Sequence, residues 1–498
     1  MSEGKNSVLK TSAVRGGAFA SVSRIVRLIF QFGSIAILAR LLSPADFGLV
    51  GTVAGAVAII SLFRELGLSL AIVQREKVED DDLSCIFKFT IFLGLGLLLL
   101  SGLLGFLISW IFERRELVYI APFFGLAVMM SALEVVPLGL MRRHLQFGRI
   151  AIREIISTAV GTVFGLSAAW MGAGYWALVI APVTMQVANT LFSWLAIKWR
   201  PSAVPFQWGL IKPYLKFGGT LTFGELANYL CQNIDVLLIG KIWGLEPLGY
   251  YTRARALVAN PINQIAAPMG SVLTPVFSRM RDDPDQQRRW IDNIFGAMLV
   301  IGGVAGAWLA VCSEDLVSLM LGSGWEDVSL LMFWFAPLLV FKPAGSVLYS
   351  FLISSGRLKT LISWTWMGSV ITISAIVIAS SYGPRAVAMS LSLAVCLRVF
   401  LAIYYCSLTG VICFKKLSLF SVLGVFHYLL IIMAYIWMSE MLAMESWYVV
   451  TRIMTMASIS VVVLLIWICC IKQWRIMAFQ ASRGVVRVVI KKCFGVTR

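Results

Sequence analysis

The chain has 498 residues, of which 59% are hydrophobic and only 13% charged, with a formal net charge of +17. Soluble domains carry roughly 25% charged residues, so a chain this long lacks the polar surface for two or three water-facing domains, and a disordered or disulfide-stapled secreted chain is excluded as well. The apolar residues suffice instead for roughly fourteen membrane helices of ~20 residues each.

The first residues, Met1 to Arg15, are polar, and no signal-peptide cleavage pattern precedes the apolar segment that follows, which predicts a cytoplasmic N-terminus. Spans are expected at 18–41, 47–70, 86–111, 118–140, 150–170 and 175–197. They continue at 214–241, 249–278, 291–312, 328–352, 360–380, 384–408, 418–439 and 447–471. Short turns such as Leu42–Phe47 (LSPADF) and Met171–Gly174 (MGAG) join them, and no loop has room for a soluble catalytic domain. With the N-terminus inside, 28 Lys and Arg residues fall on the cytoplasmic side, against Arg114, Arg115 and Arg385 outside. That asymmetry is the one bacterial membrane proteins use to set their orientation. It predicts fourteen spans with both termini cytoplasmic. The basic residues stand singly and in pairs between apolar runs, so no nucleic-acid partner is expected. Nine cysteines show no zinc or redox spacing, and neither His144 nor His427 has a second ligand nearby. No metal site and no cofactor are therefore expected.

Sliding Ile37–Gly51 (ILARLLSPADFGLVG) by 201 residues lays it on Leu238–Thr252 (LIGKIWGLEPLGYYT), with Gly48 meeting Gly249 and Arg40 meeting Lys241. The copies lie six spans apart and start in the same orientation. The repeat is therefore parallel, with a pseudo-twofold axis along the membrane normal. The expected organisation is a six-helix bundle over 1–212, a second over 213–412, two appended helices over 413–471 and a basic amphipathic tail over 472–498. In that tail Arg483, Arg487 and Lys491 recur every four residues, the pattern of a helix lying on the anionic inner leaflet.

Leu41–Gly51 (LLSPADFGLVG) and Asn233–Tyr251 (NIDVLLIGKIWGLEPLGYY), together with two six-span bundles and two appended spans, resemble the polysaccharide flippase branch of the multidrug/oligosaccharidyl-lipid/polysaccharide exporter superfamily. Exporters of lipid-linked repeat units for colanic and teichuronic acid are the most similar in character. The resemblance covers residues 10–410. It implies a transporter of the bacterial inner membrane, not an enzyme, that moves undecaprenyl-diphosphate oligosaccharides to the periplasmic leaflet by alternating access. The implied partners are that lipid-linked substrate, the bilayer, and a polysaccharide polymerase with its co-assembly proteins. A drug/cation antiporter of the same superfamily is one alternative, and a membrane-embedded assembly enzyme or scaffold is another.

A charge within the hydrocarbon costs ~2.5–3.5 kcal/mol on insertion scales, so buried charges should face a partner or a wet cavity. Arg24 and Arg27, three apart, share a face of the first helix. Arginine offers permanently charged, bidentate contacts to phosphate oxygens. The two are candidate ligands for a lipid diphosphate, and the alternative is that they anchor the inner interface. Arg253 and Arg255 in the eighth span, Lys342 beside Pro343, and Arg398 in the twelfth span complete the candidate cationic set. Asp235 and Glu225 in the seventh span are candidate relays for a coupling proton or sodium ion, or else partners of Arg253 or Arg27. Arg64–Glu65 and Arg153–Glu154 are expected to be structural pairs at the cytoplasmic edge. Pro261, Pro268 and Pro275 fall seven apart, so any kinks accumulate on one face of the eighth helix.

Overall fold

The computed structural model describes residues 26–75 and 78–441 and, within 449–458, residues 449, 451, 452, 454–456 and 458. Arg24 and the tail over 472–498 lie outside the described residues. The described chain is helical and forms two compact units. One comprises the residues through Thr252 together with Met320–Trp325, and the other Arg253–Leu319 and the residues from Glu326 onward.

The first unit begins with α1 (26–41), α2 (Pro44–Ser61), α3 (Leu68–Gln74) and α4 (Asp80–Phe112). It continues with α5 (Glu116–Leu133), α6 (Val135–Arg143), α7 (Phe147–Trp170), α8 (Trp176–Ala196) and α9 (Trp208–Trp243). Its core joins Val53, Val57 and Ile60 of α2 to Leu97 of α4, Ile120 of α5 and Val179 of α8. The LSPADF turn starts α2 for a local reason. Ser43 Oγ accepts from the Asp46 N–H, Asp46 Oδ2 accepts from the Ser43 N–H at 2.9 Å, and Pro44 occupies the first turn.

α10 (Leu245–Arg279) runs unbroken past all three prolines and crosses from the first unit into the second. The second unit then contains α11 (Pro284–Val311), α12 (Ser313–Met320), α13 (Glu326–Phe335) and α14 (Pro337–Ser354). It closes with α15 (Leu358–Ser380), α16 (Pro384–Ser407) and α17 (Phe414–Met441). Two ion pairs fasten the appended segment to the α11–α12 region, Lys416–Asp292 at 2.7 Å and Arg452–Asp315 at 2.5 Å.

Among the described residues, ten helical stretches are long and apolar enough to cross a bilayer, which makes this a multi-pass membrane protein. They stand at the second to sixth and ninth to thirteenth expected spans. α9 and α10, at the seventh and eighth, exceed the needed length but carry charged residues along it, among them Asp235, Lys241, Arg253 and Arg255.

Among the described residues, three expected spans are broken rather than continuous. The second stops at Ser61 and resumes at Leu68, because Leu66 (φ 40°) and Gly67 (φ 65°) turn the backbone left-handed. Arg64 and Glu65 therefore sit in that break. The fourth breaks at Glu134, and the tenth at Ala336–Pro337.

The first compact unit extends through Thr252, with α9 packed on α2. The Tyr229 hydroxyl donates to the Gly55 carbonyl at 2.9 Å, and Val236 lies against Gly55.

The repeat emerges as a contact inside the first unit. A Cβ added to Gly48 would meet the Leu245 carbonyl oxygen at 1.7 Å, and one added to Gly249 the Pro44 carbonyl oxygen at 2.0 Å. Pro44 and Leu245 are themselves 201 apart, so each copy presents the same glycine to the same carbonyl of the other. Only glycine allows backbones so close. Trp325 packs beside this crossing, edge-on to Phe47 and Tyr250 at centroid distances of 5.2 and 6.0 Å, and donates to the Ala39 carbonyl.

Candidate functional site

A buried polar cluster of the first unit is built on the break at Glu134. Pro137 has no N–H, so the Leu133 carbonyl has no donor four residues on. The Trp194 indole N–H of α8 takes that carbonyl at 3.2 Å. The Glu134 N–H turns to Ser131, and the Met130 carbonyl it leaves accepts from the Thr190 hydroxyl at 2.8 Å. With its backbone satisfied, the break aims a carboxylate into the bundle. Arg153 of α7 donates to Glu134 Oε1, Gln186 of α8 donates to Oε2 at 3.0 Å, and Arg153 also donates to Ser193 Oγ at 2.9 Å.

From there the charges form a row. Arg153 Nη2 lies 3.8 Å from Glu154 Oε1, and Glu154 Oε2 lies 3.1 Å from Nη1 of Arg27 on α1. Side-chain exposure rises along it, 7% for Glu134, 8% for Arg153, 28% for Glu154 and 39% for Arg27. The inner members are a desolvated pair, and the outer members are partly exposed.

Arg27 therefore has a carboxylate partner. Arg153 does pair with Glu154, at 3.8 Å, but its shorter contact is to Glu134. Glu134 lies within the fourth expected span, and nothing next to it in sequence marks its partner. The signal that identifies it is Pro137 just downstream, together with Gln186, Thr190 and Ser193 at i, i+4 and i+7 on a neighbouring helix.

Asp235 is fully buried on α9. The Tyr251 hydroxyl donates to its Oδ2 at 2.5 Å, and the Val236 N–H to its Oδ1 at 3.0 Å. Glu225 lies on the same helix, and its side chain is outside the described residues.

In the second unit, Arg398 of α16 reaches Thr372 of α15, with 3.4 Å between Nη1 and Oγ1. Gly368 makes room for it, since a Cβ there would lie 2.6 Å from the Arg398 Nε. The Trp364 indole donates to the Arg398 carbonyl at 3.2 Å. Lys342 is exposed on α14, which packs against α16, with Pro343 buried beside it. Arg253 and Arg255 are half-buried on α10. The structure thus joins Arg27 to a charge row in the first unit and sets Lys342 and Arg398 on adjacent helices in the second.

A family model described as "Polysaccharide biosynthesis protein" matches residues 37–330. The lipopolysaccharide biosynthesis protein WzxC of Escherichia coli (strain K12) is 23% identical over 380 residues, covering 74% of this chain and 75% of WzxC. The succinoglycan biosynthesis transport protein ExoT of Rhizobium meliloti (strain 1021) is 22% identical over 318 residues, 63% of each chain. Among solved structures, the lipid II flippase MurJ in an inward closed conformation matches with a TM-score of 0.70 at 14% identity, covering 91% of this chain and 99% of that one. The match to MurJ shows a shared fold.

Proposed function

Because the chain belongs to the polysaccharide biosynthesis protein family, whose model spans more than half of it, we propose that it is a flippase for undecaprenyl-diphosphate-linked oligosaccharides. In this reading it carries repeat units from the cytoplasmic to the periplasmic leaflet of the bacterial inner membrane by alternating access, with both termini cytoplasmic and fourteen spans in all. The observation that carries it is the sign of the membrane-embedded charge. Lys342 and Arg398 stand on helices apolar enough to cross a bilayer, Arg27 stands on α1 and Arg253 and Arg255 on α10, and none of the five is fully buried. Cations left accessible at such cost suit an anionic headgroup. Organic cations would call for the opposite sign, so the drug-antiporter alternative is not favoured.

The names of WzxC and ExoT, in lipopolysaccharide biosynthesis and succinoglycan transport, support the substrate class. Arg24 belongs to the same cationic set. Ion coupling by protons or sodium is assigned to Asp235 and Glu225, and the product is handed to a polysaccharide polymerase and its co-assembly proteins.

Reconstituted protein should translocate a fluorescent undecaprenyl-diphosphate oligosaccharide bearing the host's own repeat unit. Arg398→Ala, by deleting one charge-assisted phosphate contact, should slow it roughly ten- to a hundredfold at matched incorporation. Translocation no faster than in protein-free vesicles refutes the assignment.

A further inference from the structure

Arg27 faces a selectivity problem that the flippase reading leaves open. The inner leaflet is crowded with anionic phospholipids, each carrying a singly charged phosphodiester that also seeks a guanidinium. A bare arginine at the mouth of a lipid-facing site would be occupied by them. Arg27 is not bare, because Glu154 Oε2 holds its Nη1 at 3.1 Å.

The geometry behind Glu154 explains how that partner can leave. Its other oxygen, Oε1, already lies 3.8 Å from Arg153 Nη2, a long contact with room to tighten. Arg153 is anchored on its far side by Glu134 and Ser193, and Glu134 by Gln186. The inner pair is fixed and desolvated, whereas Glu154 is more exposed and lies between two arginines. A carboxylate displaced from Arg27 is passed to a second cation rather than stranded in a low-dielectric interior, where an uncompensated charge is costly.

We propose that Glu154 is a specificity-determining counter-ion, surrendering Arg27 to the doubly charged diphosphate of the substrate while keeping singly charged phospholipid headgroups off it. The proposal rests on the reading of Arg27 as a diphosphate ligand. Its physics is competition. A monoanionic phosphodiester gains about as much from Arg27 as Glu154 does and meets the carboxylate's repulsion, whereas a diphosphate brings a second charge and further acceptor oxygens that outweigh both. Discrimination thus comes from the repulsive group that the wrong ligand cannot overcome.

The test uses the full-length protein in nanodiscs of phosphatidylcholine alone, or of phosphatidylcholine and phosphatidylglycerol in equal parts, with farnesyl diphosphate as the probe. Wild-type affinity should be nearly the same in both lipids. Glu154→Gln keeps the shape and removes the charge. It should bind the probe about tenfold more tightly in phosphatidylcholine, the lower end of what one charge-assisted contact is worth. Most of that gain should be lost when phosphatidylglycerol is present. A purely structural role for Glu154 predicts no such lipid-dependent change.

If Glu154→Gln is not recovered folded, Glu154→Asp, which withdraws the carboxylate from Arg27, must shift affinity in the same lipid-dependent sense. Equal affinity of wild type and variant in both lipids overturns the counter-ion role while leaving Arg27 as a ligand. Absence of probe binding to the wild type, or binding undiminished in Arg27→Ala, instead overturns the diphosphate reading of Arg27 and this inference with it.

Discussion

The Glu134–Arg153 pair makes a quantitative forecast. Glu134→Ala removes the acceptor of two hydrogen bonds, from Arg153 and Gln186, and leaves a guanidinium only 8% exposed with no carboxylate closer than Glu154 at 3.8 Å. Truncating one partner of a buried ion pair costs about 3–5 kcal/mol, chiefly because the other charge is left uncompensated. In a unit of roughly 150–250 residues each kcal/mol moves the melting temperature by about 2–4 °C, so the variant should melt roughly 6–20 °C lower. Replacing both members with apolar residues of similar volume, Glu134→Leu with Arg153→Met, removes the stranded charge and should recover most of the loss. Thermal unfolding of the purified single and double variants, followed by intrinsic tryptophan fluorescence, closes the cycle. A single variant within about 1 kcal/mol of wild type, or a double variant no more stable than the single, refutes the account of this pair as a desolvated anchor.

At the glycine crossing, Gly48→Ala sets a methyl 1.7 Å from the Leu245 carbonyl oxygen, so the helices must part by more than an ångström. That should cost at least about 1–3 kcal/mol, and Gly249→Ala should behave alike. Gly33→Ala, with nothing within 4 Å of its new methyl, serves as the control, and melting temperatures indistinguishable from that control contradict the crossing. Lys416→Ala leaves Asp292, 3% exposed, without its ion-pair partner. The loss of roughly 1–3 kcal/mol should appear as faster amide hydrogen exchange in α17, and unchanged exchange argues against the pair as a fastening.

The membrane class was legible because it depends on composition summed over long windows, which no single contact overturns. The broken spans were not, since apolar residues on both sides of Glu134 and of Gly67 mask a turn that costs only a residue or two. Arg153 does pair with Glu154, but its closer partner was not legible, for a geometric reason. Residues adjacent in a helix point about 100° apart, so neighbouring opposite charges need not share their main contact. The closer acid comes from another helix, 19 positions back in the chain, at a break whose placement depends on Pro137. Arg27 was recognised as a cation within a span, but its link to Glu154 depends on how α1 packs against α7, which local sequence does not specify. The 201-residue offset was readable from a few identities because the residues that matched best, Gly48 and Gly249, are the ones that touch.

That reciprocal touch constrains how the two halves of the chain can diverge. Most duplicated segments drift apart by trading one side chain against another across their shared boundary. Here each glycine meets a main-chain carbonyl, which every residue type carries unchanged, so a methyl gained at position 48 has no counterpart at 249 that could be trimmed to receive it. Elsewhere the copies can differ in side chain, as Arg40 does from Lys241, but at this point both must stay without one. Any descendant that escapes the restriction has to move a whole helix rather than exchange a residue.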